Sequence, residues 1–268
     1  ISTRAERPTS MMLDEPYRFA EVMANRRDYI EDQLRSGSPV VGVTYSDGIL
    51  LLTLGRGQQK LSETYDRIAM GSVGHPTDIE KLRQSAVDLA SVVGFNYSEA
   101  DVTLQQIVHF GLGPAIKGSF DDVIHSPYIA RILLAELDGD RGSSLCTIDY
   151  DGSFSAEPDY ATVGGSSDAD RAMSQILKTD HDAAASLGDS LNLALKVWAA
   201  GRSIGLQDEA TGDEVVSVQD DENRNILKEA VEDLSVEAVV LSRSRDSKSK
   251  YHALTMDDIQ PAVDAMLA

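Results

Sequence analysis

The sequence has 268 residues, 42% of them apolar, and sets 24 basic against 44 acidic side chains for a formal net charge of −20. That length fits one large domain or two small ones with a sizeable core, and the charge makes nucleic acid and anionic membrane surfaces poor partners. A lone cysteine, Cys146, excludes an intramolecular disulfide and points to a reducing compartment, the cytoplasm.

No apolar run approaches the roughly 20 residues of a membrane span. The opening "ISTRAERPTS" has no hydrophobic signal core and starts at Ile1 rather than methionine. The sequence is therefore expected to begin inside the encoded chain or to carry a non-native junction. Residues 1–14 are polar and unpatterned, and are read as a mobile arm. A helix follows over 16–35, with Pro16 in its first turn, a stripe of Phe19, Met23, Ile30 and Leu34, and Gly37 as its stop. "PVVGVTYSDGILLLTLG" reads as a hairpin around "SDG", and "YDRIAMGSVG" as another strand. "TDIEKLRQSAVDLASVVG" is a helix whose Thr77 and Glu80 suggest a capping box, with Ile79, Leu82, Ala86, Leu89 and Val93 as its apolar stripe. "DVTLQQIVHFGLGPAIKGSFDDVI" is a second helix, disturbed at Gly113-Pro114.

The second half repeats the rhythm. "SLCTIDYDGSF" and "PDYATVGG" are expected as strands around an acidic turn. "SDADRAMSQILKTD" and "SLGDSLNLALKVWAAG" are helices, the latter with Leu187, Leu191, Ala194, Leu195 and Trp198 on one face. A strand "VEAVVLSRS" and a helix "TMDDIQPAVDAML" close the chain. Hairpin-linked strands with paired helices argue for antiparallel sheets with helices stacked outside. "QDEATGDEVVSVQDDE", residues 207–222, has seven acidic and no basic residues and reads as an exposed loop or insertion within about 205–224.

Little here names a chemistry. His75, His109, His125, His181 and His252 lack metal-type spacing, and no cofactor is implied. His109 lies in an apolar helix and is expected as a hydrogen-bonded core histidine. Cys146 reads as a small buried hydrophobe. "GRGQQK" lacks the second half of a phosphate loop, and "VGGSSD" reads as strand, tight turn and helix cap, with Gly164 and Gly165 turning the chain and Ser167 or Asp168 capping. No G-x-S-x-G elbow is present.

Two blocks are more specific. "QQKLSETYDRIAMGSVGHPTDIEKLRQSAVDLASVVGFNYSEADVT" and, later, "TIDYDGSFSAEPDYATVGGSSDA" resemble the α-type subunits of bacterial, actinobacterial-like proteasome core particles. The leading helix, the first hairpin and the helix order agree. The resemblance runs from about Tyr17 to the C-terminus, apart from 207–222. It implies an α+β fold, the four-layer αββα sandwich of the N-terminal-nucleophile hydrolases, with two antiparallel sheets between helix layers. It also implies a single domain over 15–268 behind a gating arm over 1–14.

In the related catalytic β-type subunits a cleaved propeptide frees a threonine whose α-amine is the base for its own hydroxyl. By this resemblance Ser38, followed by Pro39, stands at the threonine's place and Leu54 at that of a supporting aspartate. Only the lysine, Lys60, remains. The implied role is noncatalytic: a seven-membered ring of like α subunits that caps rings of β-type subunits, with Ile1, Ser2, Thr3, Arg4, Arg7 and Pro8 in the gate. Lys60 is implied to be an exposed anchor for the C-terminal carboxylate of a ring-shaped ATPase activator, in ATP-assisted protein degradation. Two other readings stand beside this one: an active hydrolase using Ser38 after processing, and a homo-oligomeric ring scaffold without a protease.

Overall fold

A computed structural model describes residues 15–138, 142–206 and 220–267. The gate residues 1–14 and most of the acidic segment lie outside the described residues. Strand β1 (Val40–Tyr45) and β2 (Gly48–Gly55) form the expected hairpin, with Tyr45 opposite Gly48 across Ser46-Asp47. The next expected strand is itself half of a hairpin, β3 (Leu61–Tyr65) and β4 (Ile68–Gly74), turning at Asp66-Arg67. "SLCTIDYDGSF" divides at Asp149–Gly152 into β6 (Gly142–Ile148) and β7 (Phe154–Glu157). Gly152 takes a left-handed φ of 81°, which suits glycine in that tight turn.

Strand β5 (Ala130–Asp138) has no counterpart in the sequence reading. Its run "ARILLAELD" is buried on both faces, so it shows no alternation to distinguish a strand from a buried helix. Strand β8 (Tyr160–Val163) leaves this meander and pairs with β1. The last strands are β9 (Ser235–Ser242), which pairs with β2, and β10 (Tyr251–Ala253). Two five-stranded antiparallel sheets result, in the orders β10-β9-β2-β1-β8 and β3-β4-β5-β6-β7.

Period-two alternation sorts side chains between layers. Ile49, Leu51, Val239 and Leu241 of the first sheet meet Leu61, Leu133, Ala135 and Leu145 of the second. A Cβ on Gly42 would lie 2.7 Å from a Leu145 methyl and 2.9 Å from a Leu51 methyl, so any side chain there would have to push these leucines aside. The other face of the first sheet, including Val41, Val43, Leu50, Leu52 and Leu54, packs on α5 (Ser167–Asp180), α6 (Leu187–Leu206), α7 (Asp220–Asp233) and α8 (Met256–Leu267). The other face of the second sheet, including Met70, Ile132 and Cys146, packs on α2 (Pro76–Asn96), α3 (Leu104–Gln106) and α4 (Gly113–Asp121). The layers are thus helix, sheet, sheet, helix. Helix α1 (Glu15–Arg35) stands at one end and inserts Ile30 and Leu34 between the sheets.

Several local expectations change. The N-cap of α2 is His75, whose ring nitrogen accepts from the Thr77 amide, while Glu80 pairs with Arg83. The disturbance in the second helix precedes Pro114 as a π-helical turn over Ile107–Leu112, with Gly113 N–H reaching back to Val108. His109 on that turn is exposed and stacks on Phe154 at 4.9 Å, so it is not a core histidine. Ser166, not Ser167 or Asp168, caps α5 by accepting from the Ala169 amide. Gly165 lies in the bend before α5, and close approach also requires glycine there, because its Cβ would come 2.5 Å from the carbonyl oxygens of Leu34 and Arg35. Phe19, placed in the core stripe, is 55% exposed, because the first half of α1 projects beyond the sheets. Residues 205–206 and 220–224, at the two ends of the acidic segment, are helical.

Candidate functional site

The chain leaves α1 through Ser36-Gly37-Ser38 and enters β1 at Val40. Helix α6 runs beside this crossing. A Cβ on Gly205 would sit 3.0 Å from the Arg35 carbonyl oxygen, so the small residue permits the approach. Two α6 side chains one turn apart grip the crossing. Trp198 Nε1–H donates to Ser38 Oγ at 3.0 Å, and Arg202 Nη1–H donates to the Ser36 carbonyl at 2.6 Å. Ser38 Oγ–H in turn donates to the Leu54 carbonyl at 2.6 Å. Leu54 itself is buried against the helix layer and offers no charge.

Lys60 lies just before β3, at the same end of the inter-sheet space. Its Nζ donates to the Ser38 carbonyl at 2.5 Å and to Thr53 Oγ1 at 2.8 Å. Thr53 is buried and passes its own hydroxyl proton to the Pro39 carbonyl at 2.6 Å. Burial brings the Lys60 ammonium down to about 7; the Glu237 carboxylate opposes that fall and the Arg202 guanidinium adds to it. Glu237, on β9, accepts from the backbone N–H groups of Lys60 and Leu61 at 2.9 and 2.8 Å. One carboxylate thus pins the start of β3, in the second sheet, to a strand of the first. Lys60 is therefore a half-buried, doubly bonded side chain, not the exposed one expected.

Several of these residues line a pocket of about 940 Å³. Lys60, Ser38 and Leu54 border it together with Arg56 and Arg202, and Ile226, Ala230 and Leu234 add apolar surface. Arg56 is held loosely at the rim, 3.7 Å from Asp233, with both side chains exposed. The pocket brings together the three positions that the resemblance singled out. Four further residues escaped the sequence reading as parts of the site: Arg202, which lines the pocket, and Glu237, Trp198 and Thr53, which hold its lining or flanking residues. Glu237 is the lone charge in an otherwise apolar strand, which was a usable signal. Trp198 and Arg202 share a helix face at i, i+4, which was another. The hydrogen bonds of Thr53 had no signal in the sequence.

Chemically, an N-terminal nucleophile needs a free α-amine. The Ser38 nitrogen is a peptide amide, whose lone pair is delocalised and is no base. The Lys60 amine contacts the Ser38 carbonyl rather than its hydroxyl, so it does not replace that base. Among the described residues no grouping of His, Cys, Asp or Glu could hold a metal ion, and no helix is long and apolar enough to cross a membrane.

This two-sheet sandwich, with a serine and a lysine at one end of its inter-sheet space, matches the proteasome subunit family over residues 34–216. That is more than half of the chain, which belongs to this family. Three of its relatives are proteasome alpha subunits. The proteasome subunit alpha of Nocardioides sp. is 31% identical over 241 residues, spanning 87% of this chain and 82% of its own. Those of Acidothermus cellulolyticus and Kineococcus radiotolerans are 32% and 30% identical over 180 and 199 residues, covering 66% and 72% of this chain and 75% and 79% of theirs.

Proposed function

We propose that this chain is a noncatalytic α-type subunit of a proteasome core particle. It joins like subunits in a seven-membered outer ring, supports assembly of β-type rings, gates substrate entry with residues 1–14 and docks a ring-shaped ATPase through Lys60. The observation that carries the noncatalytic part is the state of Ser38: its nitrogen is in a peptide bond and its hydroxyl proton is committed to the Leu54 carbonyl. Assembly is supported by apolar side chains without partners in the monomer. Phe19, Val22 and Tyr29 on α1 are 55%, 44% and 52% exposed, and Phe95 and Phe110, beside the second sheet, are 90% and 78% exposed. Docking is supported by the cations of the pocket, in a chain whose surface otherwise repels a carboxylate.

The test is direct. The purified chain is incubated with fluorogenic peptides and a threonine-directed covalent inhibitor, and its intact mass is then measured. No turnover and no adduct are expected. Turnover, an adduct on Ser38 or a mature N-terminus at Ser38 would overturn the noncatalytic reading.

A further inference from the structure

The stretch "RSRDSKSK", residues 243–250, joins β9 to β10 and holds four of the chain's 24 basic residues. It lies at the end of the first sheet away from Lys60. Arg243 N–H donates to the Asp47 carbonyl in the β1–β2 turn, and Lys250 N–H to the Asp66 carbonyl in the β3–β4 turn. Its three serines differ. Ser244 Oγ–H donates to Asp47 at 2.8 Å and Ser249 Oγ–H to Glu63 at 2.6 Å, so a phosphate on either would lose that bond and face a carboxylate. Ser247 is exposed, and its hydroxyl has no partner among the described residues. Cations flank it instead. Arg245, two residues before it, gives Nε–H to the Ser249 carbonyl and pairs with no carboxylate among the described residues. Lys248, the next residue, is exposed and holds Glu99 and Asp66.

We propose that Ser247 is the acceptor of a phosphoryl group from a basophilic serine kinase. Such a kinase reads an arginine beside the serine through carboxylates of its own, and a surface segment outside the strands can enter its cleft. In the transfer, Ser247 Oγ bonds to the γ-phosphorus of MgATP, the β–γ bridging P–O bond breaks, ADP leaves, and the hydroxyl proton passes to the kinase's base. The product carries about −1.5 to −2 charge beside Arg245 and Lys248. It draws Lys248 away from Glu99, the first residue of the turn Glu99–Asp101 that follows α2. The mark thereby loosens the end of α2, where Phe95 is 90% and Tyr97 79% exposed. The site itself does not depend on the assembly or docking readings above.

The full chain is incubated with MgATP and a basophilic serine kinase, the catalytic subunit of cAMP-dependent protein kinase, and the modified residues are located by fragmentation in the mass spectrometer. Ser247 should carry a phosphoryl group, and Ser244 and Ser249 should not. Arg245→Gln should slow the modification of Ser247 about ten- to a hundredfold, the usual loss for a charge-assisted hydrogen bond. Arg245→Lys keeps the charge without the fork and should fall between, which also serves if the glutamine variant does not fold. In the phosphorylated chain amide exchange over residues 97–101 should quicken, and unmodified Lys248→Gln should show the same change. An unmodified Ser247, or phosphate on Ser244 or Ser249 in its place, overturns the proposal. Modification of Ser247 at the wild-type rate in both Arg245 variants refutes recognition through the basic flank. Exchange unchanged by the phosphate refutes the effect on α2.

Discussion

Lys60 carries two opposed effects. Its amine supplies the only donor seen for the Ser38 carbonyl among the described residues, yet burial penalises its charge. The sign of the pH dependence follows. The folded value is about 7 against an ordinary 10.5, so between these limits the unfolded chain binds a proton that the folded chain does not. The contribution of Lys60 to stability therefore rises with pH across that window, and its charging penalty is fully present below it. Lys60→Met removes both effects. At pH 9 it should cost about 1–3 kcal/mol, because the half-buried Ser38 carbonyl and buried Thr53 both lose a donor. At pH 6 the cost should be smaller, because no charge then needs to be buried. Urea denaturation of both proteins at pH 6, 7.5 and 9 checks this, and parallel curves would refute it. The change expected for an exposed lysine, about 0.5 kcal/mol at all pH values, does not apply to this geometry.

At the scale of elements, α1 divides into two halves with different work. Ile30 and Leu34, 0% and 1% exposed, fix its C-terminal half between the sheets. The N-terminal half carries apolar side chains into solvent, a costly arrangement unless another surface covers them. Phe19→Ser with Val22→Ser should leave the melting temperature of the isolated chain within about 2–4 °C, since each exposed substitution usually changes stability by about 0.5 kcal/mol or less. The same pair should impair ring formation with β-type partners, read by size exclusion with light scattering. Unimpaired assembly would remove α1 from the interface. Periodicity could not separate the halves, because Phe19 shares the angular stripe of Ile30 and Leu34. What exposes it is where the sheets end, which no local window contains. Strand β5 escaped for a related reason: it is buried on both faces and shows no alternation, and it lacks the turn signal "SDG" that marked the equally buried β1 and β2 as a hairpin. The caps at His75 and Ser166 were misplaced by only one or two residues, the usual uncertainty of helix ends.

For the whole molecule, the arm is the part whose removal should change function without changing the fold. The described inter-sheet core runs from Ile30 of α1 onward, and a polar arm without an apolar stripe adds little to a core, so deleting residues 1–14 should leave assembly intact and raise peptide hydrolysis by the assembled particle. An unchanged rate would refute the gate. The layer order was legible through the resemblance carried by the two quoted blocks, and the peptide-bonded Ser38 nitrogen follows from the helix that precedes it. The pocket was not legible beyond Ser38, Leu54 and Lys60, because Glu237, Trp198 and Arg202 come from strands and helices far along the chain. That separation also bears on how the chain is made. The second sheet is a continuous run from β3 to β7, complete once Glu157 has been synthesised. The first sheet waits far longer: Val40 pairs with Val163, and Gly48 with Ser242. A nascent chain emerging from the ribosome thus exposes the apolar N-terminal hairpin with its partners unmade until almost the last strand has appeared. Translation that stops before β9 leaves the β2 edge open to other chains.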